Sequence, residues 1–403
     1  MRGLLAVSLS VALAGCTSAA PSASPTEQII ADVLTTEDLI SLTVVAAKDA
    51  PNLTINFTKP SKAEYSKRVA EELTSDQRPE SFQVDAGAAV ADYVASGLVA
   101  DISSLYYEFG FAQALPQSLS ESLLDPGHTY VLPVRVHKAN LLWGNSKLLK
   151  KAGLPGDNVE FADLSAFLDA LELVAKTSPG KAALAVGEEK VSLLENVLIA
   201  DLGADGYKQL FTGGLAWEDE LVKAALEDFG RLLAYAREYP SWEEAGKAVF
   251  SGEAALAVGD DSFGALASGE EGKDYAVGPT PGTAGTFDFF AESFTFVTGS
   301  PNPAGAKAWL GLAASVDGQE AFNEGKTSIP ARTDVPRSSM SQAQSVLADS
   351  YAEDEVVGSL QHGGNATTAQ RDATAAAVDK FAKSTRDEAA VAQLQLELAT
   401  AFA

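Results

Sequence analysis

Ser81-Phe82-Gln83-Val84-Asp85 is an alternating run that predicts a short strand, with Gln83 and Asp85 on one side of its end. Both side chains can accept hydrogen bonds from hydroxyl groups, and ligands of open α/β sheets sit beyond the carboxyl ends of strands. The alternative is that they cap the following helix. Ser241-Trp242-Glu243-Glu244 has the spacing of a capping box, Ser241 as N-cap and Glu244 reaching back to it. That puts Trp242 on a first helical turn, where large apolar side chains are seldom fully covered. An indole plane left half-covered there offers an apolar surface against which a ligand can stack. A staple in a core corner is the other use of such a ring.

Bond-breaking chemistry finds less footing. With 55 Asp and Glu in 403 residues, some carboxylate pair always has a glycosidase-like appearance, so acids alone decide nothing. His128, His137 and His362 lie far apart without metal-ligand spacing, and no G-x-S-x-G elbow occurs. Gly325-Lys326-Thr327 resembles the end of a phosphate loop, but Glu320 stands where the first glycine is required. No cofactor is implied. The net charge of −26, without any Lys/Arg cluster, disfavours nucleic acid as a partner.

The elements that must position these residues follow in order. Arg2 and the apolar run Leu4–Ala14 read as a leader too short to span a bilayer, and Leu13-Ala14-Gly15-Cys16 looks like a bacterial lipobox, with Cys16 as the lipidated residue. A Ser/Ala/Pro tether reaches to residue 27. Cys16 is the only cysteine, so no internal disulfide is possible. Beyond it, an apolar run at Ile29, a helical stripe through Leu39, Leu42 and Val45, a strand at Leu53–Phe57, a helix from Lys62 and the Phe82 strand predict β-α-β-α-β order and a mostly parallel sheet. Val131–Val136 is β-rich and contains Pro133, which suits an edge or isolated strand. After Ala139 the spacing of Leu141, Leu142, Leu148 and Leu149 predicts a helix stopped at Gly153. Asn302-Pro303 starts another helix, and alanine-rich helices close the chain. So long a chain suits two cores rather than one.

Several stretches are similar to the carbohydrate-binding group of extracellular solute-binding proteins of bacterial ABC transporters. Gly127–Pro133, Leu142–Leu148 and Ala152-Gly153-Leu154 resemble its first crossing between lobes; Arg78–Gly87 resembles its "PPDVFQVxAG" segment; Phe322–Arg332 is similar to its "KGSIPAR" segment; Val356–Gly363 resembles the late loop of its glucose-type members. The resemblance implies an α/β, two-lobed periplasmic-binding-protein fold of type II, maltose-binding-protein-like, with a hinge and an interlobe cleft. Lobe 1 is expected over 28–130 and 280–330, and lobe 2 over 131–279 and 331–403.

By the same resemblance the ligand-binding residues are Glu37, Gln83, Asp85, Trp242, Asp261, Glu292, Lys326 and His362. The implied partners are a sugar, of glucose type or a small oligosaccharide, and ABC permease subunits. The expected protein is a monomer in the periplasm or at the cell surface, held to the membrane by its lipid alone, and not an enzyme. Departures from the pattern thin the stacking surface. Of the tryptophans and acid that follow the first strand in relatives only Glu37 remains, Asp261 stands where relatives carry a second ring, and Asp85 stands where many carry histidine. A degenerate binder acting as sensor or adaptor, and an anchored glycoside hydrolase, stay open as other readings.

Overall fold

The computed structural model describes residues 26–403 apart from 31–35, 59–61, 77, 118, 120–122, 124–127 and 189; the leader, Cys16 and most of the tether lie outside the described residues. The strands, in chain order, are β1 (Thr26–Ile30), β2 (Thr54–Thr58), β3 (Ser81–Asp85), β4 (Val131–Lys138), β5 (Leu141–Asn145), β6 (Ala182–Val186), β7 (Ala236–Glu238), β8 (Ala254–Gly259), β9 (Tyr275–Pro279), β10 (Thr286–Thr295) and β11 (Glu355–Gly358). They form two sheets. One has the order β11-β10-β3-β1-β2 with β4 on β10; the other has the order β7-β6-β8-β5-β9. As the β-α-β-α-β spacing predicts, β1 pairs in parallel with both β2 and β3, and the helices Thr36–Asp49 and Lys62–Leu73 connect them.

Each sheet has its own core. Phe82, Phe287, Phe289, Phe294, Trp309 and Phe322 pack in the first, and Phe167, Leu194, Phe229, Val378, Phe381 and Leu398 in the second. Each such side chain contributes roughly 1.5–3 kcal/mol by leaving water. In β11 the neighbours Val356 and Val357 point into different cores, because successive strand residues face opposite ways. The closing helices Thr368–Ala382 and Glu388–Ala401 pack on the second core. Among the described residues no helix is long and apolar enough to cross a membrane.

Two expectations need correction. Leu141–Asn145 is a strand, and the helix begins at Ser146, capped by Asn145. Leu141, Leu142 and Trp143 are held between β8 and β9, and an apolar run buried on both faces has the same periodicity in either state until its neighbours are known. Val131–Lys138 pairs with β10 in the first sheet, and β11 also joins that sheet, so the chain changes sheets after Lys138 and after Gly358 rather than at 131 and 331. Pro133 stands where the β4–β10 register shifts, a position that does not call on its missing N–H.

The chain passes between the sheets three times. Fully buried Asn140 ties the first two passages: its Nδ2 donates to Thr283 Oγ1 and the Thr286 carbonyl, both at 2.9 Å, and its Oδ1 accepts from Asp288 N at 3.1 Å. At the third passage Ser359 Oγ and Gln361 N donate to Glu195, at 3.0 and 2.8 Å, and the Leu360 amide donates to Tyr207 at 3.2 Å. Ala88 and Ala89 donate backbone bonds to Gly364 and Gly363, and a Cβ on Gly87 (φ 102°) would lie 2.4 Å from the Gly364 oxygen. The Ala86-Gly87 pair after β3 is therefore glycine-dependent for close approach as well as for φ.

Glu195 and Asp288 face one another where these passages meet, with no exposure. Burial first, opposed by its bonds from Gln361 and Ser359, pushes Glu195 up to about 7. Burial and the neighbouring Glu195 carry Asp288 well above the carboxylate range. A carboxyl whose folded value is raised contributes its full stability below its unfolded value near 4.5, and that contribution is lost as pH rises through about 7. E195Q, which keeps the shape without the charge, is expected to melt a few degrees above the wild type at pH 8 and to lose that advantage at pH 4.5, measured by thermal denaturation of both proteins across the range.

Candidate functional site

The antiparallel pairing of β4 with β10 builds the face turned toward the second sheet. Arg135 lies opposite Glu292 and His137 opposite Phe290, while on the other edge of β10 Asp85 lies opposite Glu292. Since alternate strand residues share a face, Arg135 and His137 on β4 and Asp288, Phe290 and Glu292 on β10 point one way, whereas Val134, Val136, Phe287, Phe289 and Ala291 point into the first core.

Arg135 is the anchor, with only 4% of its surface exposed. Its Nε donates to the Phe322 carbonyl at 2.7 Å, Nη1 to Glu292 Oε2 at 3.0 Å, and Nη2 lies 2.8 Å from Asp38 Oδ1. Asp38, itself buried, also lies 3.2 Å from Lys326 Nζ. Burial alone would raise the Glu292 carboxyl, but the Arg135 guanidinium and His137 hold it down at about 2.

His137 Nδ1 meets Asp261 at 3.0 Å, and its Nε2 lies 3.7 Å from Glu292 Oε1 without a hydrogen-bond partner among the described residues. Burial opposes charge on the imidazole, yet Asp261 and Glu292 keep its proton well above the usual range. Asp261 also accepts from the Lys138 amide at 2.8 Å, so it links the turn after β8 to β4. Burial and Asp261 push the adjacent Asp260 up to about 6, against the pull of His137.

The aromatic part comes from both sheets. Phe290 is stacked by His137 (4.6 Å between centroids, 8°) and by His362 (3.8 Å, 14°), which must take opposite faces of the ring. Trp242, at the first position of the helix Trp242–Ser251, is half-buried and lies parallel to Phe263 at 5.9 Å. Its N-cap is half of a capping box: Ser241 Oγ accepts from Glu244 N, but the Glu244 carboxylate pairs with Lys247. Trp242, Phe263, Asp260 and His362 line one cavity of about 30 Å³, room for one or two waters.

The structure thus brings Asp261, Glu292 and Lys326 into one chain of charges and Trp242 and His362 onto one cavity wall. Asp85 adjoins Glu292 by register. Gln83 is buried in β3 opposite Phe294, and its Oε1 accepts no hydrogen bond among the described residues. Glu37 belongs to the helix Thr36–Asp49, but its side chain lies outside the described residues. Sequence reasoning missed Asp38, Arg135, His137 and Phe290. The alternation Val134-Arg135-Val136-His137 and Phe287-Asp288-Phe289-Phe290-Ala291-Glu292 was the available signal of two strands with one apolar and one polar face. The arrangement can donate to and accept from hydroxyls beside an aromatic floor.

Removing the buried anchor should be costly, because it strands two carboxylates. Arg135→Ala is expected to lose about 3–5 kcal/mol in urea unfolding. Lys326→Ala, whose ammonium is partly in water, is expected to lose less than about 1 kcal/mol.

Comparison with known proteins agrees with this architecture. Residues 44–349 match the family model of the bacterial extracellular solute-binding proteins. The chain is 27% identical over 304 residues to an uncharacterized ABC transporter extracellular-binding protein of Pyrococcus horikoshii, covering 72% of this chain and 67% of that one. It is 28% identical over 311 residues to a probable sugar-binding periplasmic protein of Mesorhizobium japonicum, covering 73% of each. The solved structure of the bacterial solute receptor AcbH, described as exclusively preferring β-D-galactopyranose, superposes with a TM-score of 0.77 at 16% identity, covering 93% of this chain and 97% of that one. The fold is accordingly the two-lobed, maltose-binding-protein-like one. With the family match spanning most of its length, the chain belongs to the bacterial extracellular solute-binding proteins.

Proposed function

We propose that the protein captures a neutral sugar, a glucose-type monosaccharide or a small oligosaccharide, in the cleft between its two sheets and delivers it to the permease of an ABC importer. The observation that carries this reading is the convergence of Glu292, His137, Asp261 and the Trp242 and His362 rings from elements far apart in the chain. Arg135, His137 and Lys326 are matched by Asp38, Glu292 and Asp261, which favours a guest without net charge. The buried Oε1 of Gln83 and Nε2 of His137 have no hydrogen-bond partner among the described residues, and leaving such atoms unpaired costs about 1–3 kcal/mol each, which hydroxyls of a guest would recover. The relatives' description as sugar-binding points the same way.

In this reading the lobes follow the sheets, with the passages near Asn140, Thr283 and Ser359 as the hinge. The cavity holds too little for a pyranose, so the lobes part to admit one and close on it, and contacts made to both lobes only in the closed form shift the population. Asp85 and Lys326 extend the polar wall, Trp242 is the floor, and Glu37 joins the ligand-binding set. Cys16 carries the lipid that holds a monomer at the membrane surface.

The test is thermal denaturation of the chain from Cys16 onward against a panel of neutral mono- and oligosaccharides. A guest at 100 times its Kd stabilises the folded state by about 2.7 kcal/mol, and its melting temperature rises accordingly. Trp242→Ala is expected to weaken the best binder about tenfold or more by calorimetry while leaving the unliganded melting temperature within a few degrees. Absence of any shift across the panel would overturn the reading.

A further inference from the structure

His137 occupies a position that neither the motifs nor the family match assigns. It is fixed on three sides: Asp261 accepts from its Nδ1–H at 3.0 Å, the Phe290 ring lies flat against it, and its backbone is in β4 opposite Phe290. Its fourth side, Nε2, points at Glu292 Oε1 across 3.7 Å, too far for a direct hydrogen bond. A hydroxyl oxygen placed beside both atoms completes both: it accepts from Nε2–H and gives its own proton to the carboxylate. That geometry works in one protonation state. With Nδ1–H committed to Asp261, a neutral imidazole presents a bare lone pair at Nε2, and Nε2 and Glu292 then compete for the single proton of the hydroxyl.

Resting on the sugar-binding reading above, we propose that His137, as an imidazolium, is a specificity-determining residue that selects guests with a free hydroxyl between its Nε2 and Glu292, and that affinity falls as pH removes its proton.

The charges around it keep that proton in place. Glu292 faces it from β10, where Asp288 shares the same side of the strand beside Glu195 and Lys138, Asp261 and Asp260 approach from the turn after β8, and Arg135 and Lys138 flank it on β4; His362 lies beyond Phe290. Asp261, Glu292 and Asp260 act on it while both cations are already paired, Arg135 to Asp38 and Glu292 and Lys138 to Asp354. The sign follows. A group whose proton is held more tightly in the folded site than in water keeps its contribution below the ordinary imidazole value, and loses it as pH rises through the raised one.

Two measurements test this. Without any sugar, NMR of the histidine-labelled protein should show the His137 ring doubly protonated at pH 7.5, and singly protonated there in D261N; an ordinary titration in the wild type would overturn the proposal. With the sugar that gives the largest thermal shift, calorimetry should show affinity flat at acid pH and falling roughly 10- to 100-fold at alkaline pH. H137Q, whose amide donates without titrating, should retain most of the affinity and abolish the pH dependence, whereas H137L should lose roughly the same 10- to 100-fold at all pH values. The deoxy analogue of that sugar missing the bridging hydroxyl should bind H137L and the wild type alike. A pH dependence that persists in H137Q, or its absence in the wild type, would remove His137 from the site while leaving sugar binding intact. If no sugar binds, the reading under Proposed function falls and this one with it, whatever the NMR shows.

Discussion

The pairing of β4 with β10 is the constraint on which the remaining structure depends. One antiparallel ladder closes the first sheet, delivers the chain to Asn140 for its passage into the second sheet, and sets the register that places Arg135 against Glu292 and His137 against Phe290. Side-chain direction in a strand has a period of two, so a slip of one residue would turn both charged side chains into the first core and its valines into the cleft. The hydrophobic core and the polar wall are thus fixed by the same hydrogen bonds, and neither can be changed independently.

That wall is charged yet closed on itself. Arg135 is almost without solvent and is tolerated because two carboxylates neutralise its planar head and a carbonyl accepts from its Nε. A lysine would bring a point charge and could not reach all three in their observed directions. The chain of alternating sign runs from Lys326 through Asp38, Arg135, Glu292 and His137 to Asp261, crossing from the first sheet to the second at its last link. Charges compensated in this manner hold donors and acceptors rigidly without presenting a net field that would draw in ions, which suits the neutral guest proposed above.

The hinge follows a different principle. Asn140 uses its amide on both neighbouring passages, and at the third passage a buried carboxyl pair, two tyrosine bonds and a glycine-on-glycine approach take over. These are short contacts made by few atoms, whereas the two apolar cores on either side are extensive. Stiffness within each sheet and a narrow polar waist between them suit the closing motion proposed above.

What the amino-acid order alone determined was local or compositional. Asn302-Pro303 opens its helix with Asn302 Oδ1 on the Gly305 amide, β1 to β3 and their helices alternate as their periodicity demands, and Ser241 caps the helix that presents Trp242, because each depends on neighbours within a few residues. The motifs marked the family and with it Asp261, Glu292 and Lys326 as residues to examine. Tertiary structure decided what those residues touch. Arg135 meets Glu292 across 157 positions and His137 meets Asp261 across 124, pairings that no local pattern encodes. It decided too that Leu141–Trp143 is a strand, since a run covered on both sides carries no period of its own. Burial then assigned the protons, because the same imidazole or carboxylate holds its charge or yields it according to which partners the fold has carried to its side.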